Sequence, residues 1–261
     1  MSNQPLIEGD AVEIGSNVRF GHGVVIGDQV RIGDRCVIGD HVRLDSCRLG
    51  DGVRVERNAY VGYATLTGWF SMPSSTKLDQ IGPCIVGSGT LIRTDAVIYK
   101  GVEIGESCWI NHRALIRERS SIGHHTSIGS MADLEGYLSV GHHCSLHSQV
   151  HIGAKTTIGD YVFMAPFCVT TNDNPMGYMR NFDDRNEQGP RIGFGACVAV
   201  HVTILPRVCV GMETIIGANS VVTKDVPDGK VALGVPARIV GDVPENLHLA
   251  ADIRRQYGRL P

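Results

Sequence analysis

The chain has 261 residues, of which 43% are hydrophobic, 20% charged and 6% aromatic, and its formal net charge is −3. That balance argues against a nucleic-acid binder. No apolar run is long enough to span a membrane and no signal peptide is evident, so a cytoplasmic protein is expected.

In chain order, the first element is a six-residue register. Ile14, Phe20, Ile26, Ile32, Ile38 and Leu44 fall six apart. The register slips by one residue to Leu49, then continues through Val55 and Val61. No α-helix has this period, and a plain strand has a period of two. A six-residue repeat in which Gly or another small residue often follows the aliphatic one is the mark of a β-helix solenoid. Three hexads make one triangular coil. About ten coils stacked at ~4.8 Å give a prism on the order of 50 Å long. One coil cannot bury its own core, so only stacking makes a dry interior.

The first break follows, over 67–80, reading TGWFSMPSSTKLDQ with Trp69-Phe70 and a Pro-Ser-Ser turn. It is expected to be a surface loop that packs on a neighbour, with substrate contact as the other reading. From Val86 to Met164 the register then runs without a slip. Two residues before each aliphatic position lies a small inward slot. Cys36, Cys47, Cys84, Cys108, Cys144 and Cys168 all occupy it, as small hydrophobes filling a narrow core. No CxxC pair or zinc-ligand spacing is present, and buried thiols suit a reducing compartment.

The second break, over 170–191, reads TTNDNPMGYMRNFDDRNEQGPR. A polar stretch of this length inside a compact repeat is expected to be a functional loop, with the Asn172-Asp173-Asn174 cluster at its root. An Asx-turn is the structural alternative for Asn172 and Asp173. The register resumes from Ile192 to Val222. Beyond it a short terminal helix is expected, with Asp242 as its cap and Pro244 in its first turn, covering the open end of the solenoid. The expected organisation is thus a solenoid over 1–240 and a helical tail over 241–261.

The register also sorts the histidines. His124, His125, His142 and His143 follow the Gly of a hexad, at corners that face solvent. His112 and His147 differ: Asn111-His112 and His147 put polar groups where the repeat usually places Gly or a small residue. Asn111 and His147 stand two coils apart in one column, and His147 lies in the coil next to the one that feeds the second break. Ser148, Gln149 and His151 share its hexad.

The hexads, the loop TTNDNP and the tail IIGANSVVTKDVPDGKVALGVPARIVG resemble the hexapeptide-repeat acyltransferases, over nearly the whole chain. Within that family they are most similar to the trimeric, acetyl-CoA-dependent N-acetyltransferases of nucleotide-linked amino sugars. Tyr161-Val162-Phe163 leading into Thr171-Asn172-Asp173, and the tail from Gly217 to Arg238, carry the resemblance most specifically. It implies an all-β solenoid that is a left-handed parallel β-helix, an exception to the right-handed crossover rule. It implies a homotrimer whose active sites lie in the grooves between prisms, with acetyl-CoA along the coils and no metal.

Acetyl transfer needs a neutral amine, a polarised thioester and near-attack geometry. His147, then His112, are the candidate bases, because an imidazole titrates near working pH. By resemblance Asn172 and Asp173 contact or orient the acceptor, and Gln149, Asn174 and Arg180 are candidate substrate contacts. Gly217 and Ala218 allow close approach of CoA, and Lys224 and Arg238 supply cations for its phosphates. Arg207 departs from an expected Pro-Gly turn. Two other readings stand beside this one. The run Val140–His147 also resembles the γ-class carbonic anhydrase segment with two metal-binding histidines, although the slot for the third reads Glu106. A trimeric scaffold without catalysis is the non-enzyme reading.

Overall fold

An aliphatic side chain at every sixth position can be buried only if the chain turns after every short strand. The computed structural model, which describes residues 4–64, 81–176 and 187–257, shows this as a three-sided β-solenoid. The first sheet has eleven strands, from Leu6–Ile7 to Val221–Val222. The second has ten, from Glu13–Ile14 to Cys209–Val210. The third has twelve and ends at Ala237–Asp242. Pairing from coil to coil is parallel, as in Trp109↔Ser127 and Ile110↔Ile128, so one inward column and one outward column run up each face.

The inward columns form one continuous core. Ile110, Ile116, Ile128 and Leu134 are fully buried. The small slot is buried as well. Its polar members are satisfied at the corners: Thr126 Oγ1 donates to the Gly141 carbonyl at 2.8 Å and Ser120 Oγ to the Arg117 carbonyl at 2.8 Å. The six slot cysteines are buried free thiols, and Cys108 and Cys144 donate weakly to the Gly123 and Gly159 carbonyls at 3.1 and 3.0 Å. Burial pushes the Cys47 and Cys144 thiols up to about 12. Cys209 is exposed and Cys197 intermediate. In a timed reaction with a thiol reagent at mildly alkaline pH, Cys209 is therefore expected to react first. The six slot thiols are expected to react only on unfolding. Reaction of all eight cysteines in the folded protein at one rate would contradict the packing.

Each corner needs one residue in the left-handed region, and the repeat uses non-glycine residues there freely. Between the second and third sheets these include Asn17, His125, His143 and Tyr161, with φ of 57°, 57°, 56° and 58°. Arg207 is in the same conformation at φ 64°, in the corner after the first sheet. An arginine thus stands where a Pro-Gly turn was expected.

Both breaks leave the solenoid from the first sheet: one after Tyr60–Tyr63, the other after Val169–Thr170. Trp69-Phe70 and Arg180 lie outside the described residues. The tail departs from the sequence expectation. Asp242 does not cap a helix. It ends a strand that turns back antiparallel onto Lys230–Gly234, and its carboxylate pairs with Lys230. The α-helix, α1 (Ala251–Tyr257), starts later. The tail binds the corner between the second and third sheets rather than the open end. Leu249 N–H donates to Glu213 at 2.9 Å, and Arg254 pairs with Glu213 at 3.0 Å. The hairpin competes successfully because Val231 and Ala232 continue the third sheet beside Ile215 and Ile216.

Candidate functional site

The first sheet, between the two breaks, carries a histidine–carboxylate group in its outward column. Asp133 and His151 are register partners one coil apart. His151 Nδ1 lies 3.3 Å from Asp133 Oδ2, and its Nε2 lies 3.8 Å from Glu135 Oε1. With Asp133 ionised, Nδ1–H donates and Nε2 is left as the basic nitrogen. The ring is 39% exposed, so it is held yet reachable. The hydrogen bond to Asp133 raises the His151 pKa above the usual value of 6.5, against desolvation and with help from the Glu135 charge. Glu135 is itself anchored by the Ala154 N–H at 2.9 Å.

This group sits beside the root of the second break. Thr170 stands where the register calls for an aliphatic residue, and it is fully buried. Its hydroxyl accepts the Gly153 N–H at 2.9 Å and meets Thr156 Oγ1 at 3.2 Å, so the polar substitution is satisfied. Gln188 N–H donates to the Asn172 carbonyl at 3.0 Å, and Gln188 Nε2 to the Lys155 carbonyl at 3.2 Å, closing the loop at its base. Asp173 Oδ1 accepts the Met176 N–H, three residues on, at 3.1 Å, a local side-chain-to-backbone bond at the loop root. Asn174 is exposed just beyond it.

The other sequence candidates spread over neighbouring faces. His147 follows the third-sheet strand Ser145–Leu146, exposed, with its ring edge-on to Phe163 at 5.0 Å. Gln149 occupies the corner between His147 and His151 in the left-handed region, φ 59°. His112 lies at the same corner two coils earlier, 3.9 Å from Glu56. His112 and His147 are therefore not brought together. Ala218 is exposed three coils beyond Ser148 in that corner column, and Lys224 is exposed at the opposite edge of the first sheet, in the column of Asn172. A side chain on Gly217 would meet the Leu233 side chain at 2.8 Å, so the hairpin itself accounts for the glycine there. Arg238 pairs with Leu233 in that hairpin, its guanidinium donating to the Ala237 carbonyl at 2.9 Å.

The corner histidines are structural. His124 Nδ1 accepts the Glu106 N–H at 2.9 Å and His142 Nδ1 the His124 N–H at 3.0 Å. Asp28, Asp34 and Asp160 accept such amides elsewhere. The rings stack coil on coil, His125 on His143 at 4.9 Å and His143 on Tyr161 at 4.8 Å. Burial, then the charge of His125, lowers the His143 pKa below 6.5. The native state thus takes up this proton later than the unfolded chain does. Stability at this site is whole above 6.5 and falls as pH drops through that value toward the lowered one. His143→Asn, which tolerates the left-handed corner, is expected to lessen the loss of thermal stability between neutral pH and pH 5. An unchanged loss would contradict this origin. His142 and His147 lie at opposite ends of the strand Ser145–Leu146, and no group of three potential metal ligands occurs among the described residues.

Among known proteins, residues 9–46 match the family model described as bacterial transferase hexapeptide (six repeats). The chain is 36% identical over 89 residues to the galactoside O-acetyltransferase of Escherichia coli (strain K12), covering 33% of this chain and 44% of that protein. It is 36% identical over 75 residues to the bifunctional protein GlmU of Rubrobacter xylanophilus, covering 29% of this chain and 16% of that protein. The chain thus spans less than half the length of either relative. In fold it is similar to the UDP-N-acetylglucosamine O-acyltransferase of Moraxella catarrhalis, with a TM-score of 0.50, 16% identity and coverage of 97% of this chain and 79% of that one. The family match falls on the first coils, and the described residues carry the same six-residue register through all three sheets of the β-solenoid.

Proposed function

We propose that the protein is an acyl-CoA-dependent acyltransferase that moves an acetyl group from acetyl-CoA to the amine of a nucleotide-linked amino sugar. The observation that carries this reading is the His151–Asp133 pair, with Glu135, beside the root of the second break. The similarity to a galactoside O-acetyltransferase supports acetyl transfer to a sugar-type acceptor, and the resemblance in the loop and tail supports an amine.

In this reading the neutral amine attacks the thioester carbonyl, forming the C–N bond. His151 Nε2 takes the amine proton, the C–S bond breaks, and the proton passes on to the departing CoA sulfur. Asp133 fixes the ring tautomer, and Glu135 stabilises the imidazolium that forms. Gln149, Asn172, Asp173 and Asn174 border the acceptor, and Arg180 is a further candidate contact. The CoA arm runs toward Ala218 and Gly217, and Lys224 and Arg238 meet its phosphates. Three copies pack as a homotrimer. His147, at the edge of this face, is a contact rather than the base.

The product identifies the acceptor. Incubation with acetyl-CoA and a set of amino-sugar nucleotides, followed by mass spectrometry, is expected to show an amide resistant to mild base. A base-labile ester would replace the amine by a sugar hydroxyl, and absence of any acylated product would overturn the reading.

A further inference from the structure

Two depressions meet at the corner between the third and first sheets, with volumes of about 720 and 440 Å³, and they share Arg57, Thr94 and His112. Both lie within the range of small-molecule sites. Their lining is rich in guanidinium groups: Arg54 and Arg93 in the larger, Arg113 in the smaller and Arg57 in both.

The carboxylates there are already engaged. Glu56 accepts the Thr94 N–H at 3.2 Å and its hydroxyl at 3.1 Å, and lies 3.6 Å from Arg93. Asp95 accepts from Asn58 at 3.1 Å and pairs with Arg113 at 3.6 Å. Arg93 Nε is shielded from solvent and has no hydrogen-bond partner among the described residues. A third of the Arg93 side chain is exposed, so an acceptor in the depression can meet its guanidinium. Arg57 is exposed at the rim, free to close on the same acceptor.

An aromatic platform adjoins the cations. Leu91 lines the larger depression, and its register partner in the next coil is Trp109, which is 57% exposed. Guanidinium groups suit phosphate oxygens, and an exposed indole face suits a nucleobase. The Thr94 row is three coils, about 14 Å, from the Ser148 row beside His147 and His151. That is a reach fitting an extended nucleotide sugar.

We propose that this corner binds a nucleoside diphosphate, its base against Trp109 and Leu91 and its phosphates on the guanidinium groups of Arg57 and Arg93. The proposal rests on the acyl-transfer reading for its context, because it names the handle by which one substrate is held. The same chemistry is offered by the acceptor's nucleoside diphosphate and by the nucleotide end of CoA.

The test is binding without turnover. The sequence has two tryptophans, so Trp69→Phe makes Trp109 the sole reporter. UDP, dTDP, GDP, CDP, CoA, uridine and inorganic phosphate are each titrated, with calorimetry alongside fluorescence. At least one nucleoside diphosphate is expected to quench Trp109 and to bind more tightly than phosphate or uridine. Arg57→Ala and Arg93→Met are expected to weaken it by about tenfold or more, with melting curves showing that both variants fold. His151→Ala is expected to bind it as the wild type does. If CoA alone quenches and loses affinity in the Arg57→Ala variant, the site is confirmed and its occupant is the donor. If nothing quenches Trp109, or if both arginine variants bind as the wild type does, the proposal is overturned. Turnover by the wild type with unchanged KM in the arginine variants would leave acyl transfer standing and remove only this site.

Discussion

His151→Ala is expected to lower kcat/KM about 10²–10⁴-fold, the range over which a positioned general base acts. The fold should survive, because the ring lies on the outer face and contributes nothing to the core column beside it. The pH profile gives a second readout. His151 must be neutral to take a proton, and Asp133 raises its pKa, so the acid limb of kcat/KM should lie above 6.5. Asp133→Asn removes the largest cause of that shift and should move the limb toward lower pH while lowering the rate. His147→Ala should retain most activity, since its ring packs on Phe163 away from the carboxylates. A His147→Ala variant as impaired as His151→Ala would return the base to the third-sheet edge.

Gly62→Ala is expected to be the most damaging single-methyl change in the described solenoid. Gly62 sits at the root of the first break with φ +85°, and an added Cβ would collide with the Asp45 carbonyl oxygen. Asp45-Ser46 is where the register slips, and that backbone is pinned: Asp45 N–H donates to the Val61 carbonyl at 2.9 Å and Cys84 N–H to the Ser46 carbonyl at 2.9 Å. The chain cannot yield without opening two coils. Backbone strain and overpacking together should cost about 2–5 kcal/mol. Gly52→Ala is the control. It also has positive φ, +65°, but open space around the new methyl, so it should cost strain alone, about 1 kcal/mol. Thermal melts of the two variants measure the difference, and equal melting temperatures would contradict the steric account.

The fold was largely legible because the six-residue register is a direct image of the packing. Every inward column, the cysteine slot and both loop exits follow from it. The tail was less so, since Asp242 before Pro244 reads as a helix start while the decisive interaction is the sheet extension by Val231 and Ala232. The site was legible only in part. His147 stands out in the sequence because it breaks the small-residue rule after Leu146, whereas His151 obeys the repeat by filling an ordinary outward slot. Its signal is eighteen-residue spacing: Asp133 is one coil earlier in the same slot, and Glu135 two residues on. Reading outward columns with the same ruler as inward ones would have found the pair. The cluster at Arg93 was beyond reach, because an unpartnered Nε depends on which oxygens Glu56 spends on Thr94.

The account stands most directly on thiol release from acetyl-CoA, followed continuously in the presence of a panel of nucleotide-linked amino sugars. It predicts release that depends on one of these acceptors and that falls to near the enzyme-free rate in the His151→Ala variant. Release no faster than the enzyme-free rate with every acceptor, from folded wild-type protein, would contradict it.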